Sequence, residues 1–262
     1  MPTTYAHNVF GRTVFHKLTP ELKRIVLDNS MAYQIGLHGP DILFYHKPFK
    51  NNKVSDMGHK LHAESAAEFF KKSKGWLIEE GDPVLLAYLM GFICHFMLDS
   101  SCHPYISYYM EETGAGHDEI EMEFDRALME SDRLNPLKHR PGSFIRVRKK
   151  DSEVIAKVLA PITAKEIRWA LISMRFYTGV LVRPTSIGRN GILKLMKLLG
   201  CYEGMNGRVM RKKKSKRCEE GTKKLQELFD LVVPETVTVI EDFCRTLGDA
   251  EYLSGRFERN FG

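Results

Sequence analysis

Sixteen residues without a charge separate Asp82 from Asp99, running Pro-Val-Leu-Leu-Ala-Tyr-Leu-Met-Gly-Phe-Ile-Cys-His-Phe-Met-Leu. So apolar a stretch cannot lie in water along its length, and it is shorter than the roughly 20 residues a membrane span needs. It predicts a buried central helix over about 83–101. A chain of 262 residues can build a core around such a helix, as one large unit or two small ones. Its 43% hydrophobic, 10% aromatic and 27% charged content excludes disordered, collagen-like and disulfide-scaffold classes.

Helical punctuation recurs along the chain. Thr19-Pro20-Glu21 is an N-cap, a proline at the first helical position and an acid in the first turn, followed by Leu22, Ile25 and Val26 at helical spacing. Thr163 and Glu166 form a capping box ahead of Ile167, Ala170, Leu171 and Met174. Further helices are expected near 8–17, 30–37, 59–74, 117–131, 152–160, 187–199, 219–232 and 235–247. Only Phe144 to Arg148 alternates like a strand. The expected class is all-α, a bundle forming a single domain over 1–262. Two irregular stretches, 39–57 and 135–150, are candidate functional loops.

Charge and histidine divide this domain in two. Residues 1–131 carry 12 basic and 18 acidic side chains, whereas 132–262 carry 27 and 15. Nine of the ten histidines fall within the first 117 residues. An acidic, His-rich half has the ligand types of zinc, and a basic half suits phosphate, an anionic membrane surface or nucleic acid. The basic run Arg211 to Arg217 reads as a solvated hinge or helix end. The five cysteines form no C-x-x-C pair and read as reduced core thiols. The first residues show no signal-peptide pattern, so a cytoplasmic location is expected.

His95, Asp99 and His103 are successive i+4 neighbours on the central helix, so two imidazoles and a carboxylate share one face. An ionised Asp within an apolar helix is costly unless paired, hydrogen-bonded or metal-bound. His117 and Glu121 repeat the i+4 pairing on the next helix. The other acids of 117–131, Glu119 and Glu123 among them, read as an exposed face. Upstream lie His59 and His62, the Gly39-Pro40-Asp41 turn and His7.

Together, Tyr-Ala-His7, Gly-Pro-Asp41, Gly-His59-Lys-Leu-His62, His95-x3-Asp99, His103 and His117-x3-Glu121 resemble the zinc-dependent phospholipase C family, a superfamily shared with single-strand-specific fungal zinc nucleases. The likeness covers residues 1 to about 131. It implies an all-α fold with two or three Zn²⁺ ions that cleaves phosphodiesters, a metal-bridging hydroxide attacking phosphorus. It also implies one ion on Asp41, His62, His95 and Asp99, a second on His103, His117 and Glu121, and a third on His7, the bridging Asp99 and the chain's amino-terminal nitrogen and carbonyl. His59 competes with His62 for one place. Asp41 is the expected catalytic carboxylate, orienting or deprotonating the attacking water, and Asp118 and Asp125 are expected to accept from ligand imidazoles. The departure from the family is at the start, Met1-Pro2 where known members expose a Trp.

The expected substrate is a phospholipid or related small diester. The alternatives are a single-strand nuclease or nucleotidase on the same metals, its backbone held by 133–150 and 208–217, and a non-catalytic protein that the metals only staple. HD-type phosphohydrolases share the His117-Asp118 dipeptide but leave the 117/121 pairing unexplained. A deaminase, hinted at by His62-Ala-Glu64, lacks its Pro-Cys-x-x-Cys partner. No H-E-x-x-H and no Walker A sequence occurs.

Overall fold

The computed structural model describes residues 4–182 and 185–262. Its α-helices are α1 (Thr4–Lys17), α2 (Pro20–Asp28), α3 (Ser30–Gly36), α4 (Lys53–Ala63), α5 (Ala66–Glu80), α6 (Pro83–Thr113), α7 (His117–Ser131), α8 (Lys149–Val158), α9 (Ala164–Leu181), α10 (Ser186–Leu198), α11 (Tyr202–Met205) and α12 (Glu219–Arg245). Short 3-10 helices lie at Gly39–Tyr45, Asn206–Arg208, Lys216–Cys218 and Gly255–Glu258. No strand occurs among the described residues, and the class is all-α.

The helix α6 runs through the centre of the core. Asp82 caps it by accepting from the Val84 N–H at 2.8 Å, Pro83 fills its first turn, and Gly114 ends it with φ 65°. Every residue from Ala87 to Ser100 is buried. Its closest partner is α3, and the crossing is possible only because both helices carry glycine there. A Cβ on Gly91 would lie 2.2 Å from the Tyr33 carbonyl oxygen, and one on Gly36 2.1 Å from that of Tyr88. The helix α12 packs against another side, and Phe257 and Phe261 of the carboxy-terminal segment sit on Phe70 and Phe96, with ring centroids 4.1 and 5.2 Å apart. One continuous core thus joins Tyr5 to Phe261.

The central helix continues past residue 101 to Thr113, with Pro104 inside it. The missing N–H costs one bond, and packing holds the last turns: Ile106 is buried, and the Tyr109 hydroxyl donates to the Arg217 carbonyl at 2.7 Å. The full helix is long and apolar enough to cross a membrane, but 89% of its most apolar window is buried within the protein. Residues 59–74 are two helices, not one. Ser65 breaks them, its hydroxyl accepting from the Ala67 N–H and donating to the Phe257 carbonyl. Conversely, 219–232 and 235–247 are one helix that buries Val232, Val233 and Thr236 on either side of Pro234. Phe144 to Arg148 is no strand: Phe144 closes a turn, residues 145–148 are irregular, and the Arg146 N–H donates to the Met31 sulfur at 3.2 Å. All five cysteines are free.

Candidate metal centre

Five elements bring the ligand-type side chains to one place: α1 (His7), the 3-10 helix Gly39–Tyr45 (Asp41), α4 (His62), α6 (His95, Asp99, His103) and α7 (His117, Glu121). Asp125 anchors the first, accepting from the N–H groups of Tyr5 and Ala6 at 3.1 and 2.8 Å. Gly39 allows the second to approach. At φ 45° its backbone is left-handed, and a Cβ there would lie 2.2 Å from the His95 ring.

Asp99 is the hub. Its oxygens lie 3.2 Å from His7 Nε2, 3.1 Å from His95 Nε2 and 4.0 Å from His103 Nε2. Glu121 faces His103 Nε2 at 3.4 Å and His117 Nε2 at 3.2 Å, and Asp41 faces His62 Nε2 at 3.2 Å. Three groups have ligand atoms within 4.8 Å of one another: His7, His95 and Asp99; Asp41, His62 and His95; and His103, His117 and Glu121. His59 joins none of these; its ring packs on Phe44 at 4.7 Å while it lines the adjoining cavity. The terminal nitrogen and carbonyl expected at the third ion lie outside the described residues.

Hydrogen bonds aim two of the rings. A carbonyl only accepts, so His62 Nδ1–H donates to Gly58 and His103 Nδ1–H to Phe261, each at 2.8 Å. Both Nε2 atoms are thereby turned toward the carboxylates, and a second-nitrogen hydrogen bond of this kind orients ligating imidazoles. His7 Nδ1 and His95 Nδ1 are buried without a hydrogen-bond partner, and His95 Nε2 meets only the Asp99 carboxylate.

The electrostatics agree. Burial alone would raise the carboxyls, yet the imidazoles facing Asp41, Asp99 and Glu121 hold all three below the usual range. Burial pushes His95 down, whereas Asp99 and Glu121 overcome burial at His103 and lift it to about 9. Ionised carboxylates in an apolar interior, among unpartnered ring nitrogens, call for cations. Nitrogen and oxygen donors in this mixture fit zinc.

A cavity of about 910 Å³ adjoins the cluster. Its far wall comes from the second half of the chain, through Glu203, Asn206, Arg208 and Arg217, and its lip from Lys47 and Lys50. The family model for zinc-dependent phospholipase C matches residues 2–167. The chain belongs to the zinc-dependent phospholipase C family. The match runs past residue 131, where the sequence motifs stop, and takes in the 135–150 loop and α8. No individual curated protein and no solved structure matches the chain.

Several residues around this zinc phospholipase-type centre were not legible from motifs. His38, next to Gly39, is buried with Nε2 unpartnered, and burial beside His7 and His95 drops it to about 3. Asp118 binds Arg208 at 2.7 Å, and Asp125 holds the α1 backbone, so neither accepts from a ligand imidazole. The acids of α7 are not an open face. Glu123 is buried against Arg126, and Glu119 takes Ser215 Oγ at 2.7 Å and Arg217 Nε at 3.1 Å. The basic run is partly docked on α7, with Lys214 on Glu130 at 2.5 Å, which brings the oppositely charged halves together. His38 neighbours the Gly-Pro-Asp41 motif and was open to suspicion, but the cavity wall at 203–208 has no periodicity to announce it.

Proposed function

We propose that the protein is a zinc-dependent phosphodiester hydrolase, phospholipase C-like, with two or three zinc ions at the floor of the cavity. The observation that carries this reading is the convergence of three imidazole and carboxylate groups beside a space of about 910 Å³. That volume is at the upper end of ordinary ligand pockets. Asp41, His62, His95 and Asp99 would hold one ion, His103, His117 and Glu121 a second, and His7 with Asp99 a third, with His59 in reserve.

Bound zinc would supply an acidified water and positive charge against the phosphoryl oxygens. Asp41, which lines the cavity, would orient the attacking water, take its proton as the new oxygen–phosphorus bond forms and the bond to the leaving alkoxide breaks, and pass that proton to the alkoxide. Arg208, Lys47 and Lys50 offset the charge of the incoming phosphate. Asp118 holds the Arg208 guanidinium at 2.7 Å and keeps it charged against the pull of burial.

A metal-stapled binding protein would need no cavity beside its ligands, since structural sites are closed. A nuclease is the weaker alternative, because Lys214 and Arg217 of the basic run are already tied to α7 acids. We also read the whole chain as one domain, supported by the core shared between its halves.

The test is zinc analysis of the purified protein, followed by hydrolysis of bis(p-nitrophenyl) phosphate with and without chelator. Bound zinc and chelator-sensitive turnover are expected. A zinc-free protein, or turnover indifferent to chelator, overturns the reading. Faster cleavage of single-stranded DNA than of phospholipid would select the nuclease.

A further inference from the structure

The helix α9 wears its apolar residues on both sides. Ile167, Ala170, Leu171 and Met174 enter the core, while Trp169, Ile172 and Phe176 stand 55%, 45% and 61% exposed on the opposite face. Their i, i+3, i+7 spacing makes them one continuous stripe. Arg168 and Arg175 border it, both exposed. Among the described residues neither guanidinium has an ion-pair partner. The one acid of α9, Glu166, is tied to Thr163 and to Lys53, whose ammonium lies 3.1 Å away.

One residue beyond the stripe, α9 meets the lip of the cavity. Tyr177, the residue after Phe176, meets Phe49 edge to face at 5.8 Å. Phe49 is itself 54% exposed, and its chain neighbours Pro48 and Lys50 line the cavity. Lys47 starts this lip in a left-handed conformation, φ 51°, and the Asn52 amide holds the turn by donating to the His46 and Lys50 carbonyls at 3.0 and 2.7 Å.

Exposed aromatics gathered among unpaired cations fit one surface well. At a bilayer, Trp and Phe enter the boundary between headgroups and acyl chains while Arg and Lys meet lipid phosphates. We propose that α9 and the Lys47–Lys50 lip form a docking face that seats the protein on an anionic phospholipid bilayer, with the cavity mouth at its edge. The assignment deepens the phosphodiesterase reading, on which it rests for the source of substrate, but docking itself is measured without turnover.

The experiment is co-sedimentation of the full zinc-loaded protein with phosphatidylcholine vesicles with and without phosphatidylserine. Binding to the phosphatidylserine vesicles is expected, weakening with salt and on neutral vesicles. The double variant Trp169→Ser, Phe176→Ser should bind about tenfold or more weakly, with unchanged circular dichroism and melting, and should lose vesicle hydrolysis while still cleaving bis(p-nitrophenyl) phosphate. Arg168→Gln with Arg175→Gln should cost roughly fivefold per charge on anionic vesicles and little on neutral ones. Wild type that ignores anionic vesicles, or binding indifferent to both pairs of substitutions, overturns the proposal. So does a wild-type dimer that the Trp169→Ser, Phe176→Ser variant dissolves, because the face would then belong to a second copy. Vesicle binding without any diester hydrolysis sinks the enzymatic reading and supports the docking face; soluble-diester hydrolysis without vesicle binding does the reverse.

Discussion

The helices α6 and α9 break the ordinary inside–outside rule in opposite directions. The first takes His95 and Asp99 into the centre of the protein, and the second leaves Trp169, Ile172 and Phe176 in solvent. The helix α10 and its C-cap depart as well, leaving Ile187, Leu195, Leu198 and Leu199 in solvent, but α6 lines the cavity and α9 reaches its lip through Tyr177 and Phe49. Charge inside is stabilised by what it can hold, and exposed apolar surface by what it can meet. Local departures from good folding mark where function has been placed.

Breaking the α6 side should produce the largest effect. Asp99→Asn is expected to lower diester hydrolysis by at least about 10³-fold, roughly 4 kcal/mol. Zinc at 100 times its dissociation constant should stabilise the wild type by about 2.7 kcal/mol, and the variant should lose most of that gain in a melting assay. Gly91→Ala asks whether α6 must sit so close to α3. With a Cβ 2.2 Å from a carbonyl oxygen, it should cost about 3 kcal/mol in urea denaturation. An unchanged midpoint would show that the crossing can relax.

Arg208 lines the cavity wall, next to α7. Arg208→Ala should raise KM about tenfold, near 1.4 kcal/mol, with kcat less affected, since the side chain is assigned to binding. The smallest effect belongs to the α9 cap. Although partial burial would raise it, Glu166 is held at about 2 by the Thr163 N–H and hydroxyl and by Lys53. A depressed carboxyl stabilises the fold above its unfolded value near 4.5 and loses that contribution as pH falls toward 2. Glu166→Gln should therefore cost about 1 kcal/mol at neutral pH and flatten stability over that acid window, leaving vesicle binding alone.

The parts of the fold legible in the sequence were those written locally. Thr19 does accept from the Leu22 N–H, and Thr163 and Glu166 do form their reciprocal cap. The 95/99/103 spacing lies within one helix, so its shared face follows from geometry alone. Ser65-Ala-Ala-Glu68 was a readable N-cap signature that would have divided 59–74. The run through Pro104 and Pro234 was not readable, because tertiary packing outweighs one missing hydrogen bond. Nor was the wall at Glu203 to Arg208, which belongs to the cavity only because Arg208 meets Asp118, 90 positions earlier.

The contact between the Phe261 carbonyl and His103 spans 158 positions of sequence. That carbonyl accepts the Nδ1 proton and leaves Nε2 facing Glu121, 3.4 Å away. The last residues of the chain thus complete the orientation of a side chain that belongs to its first half.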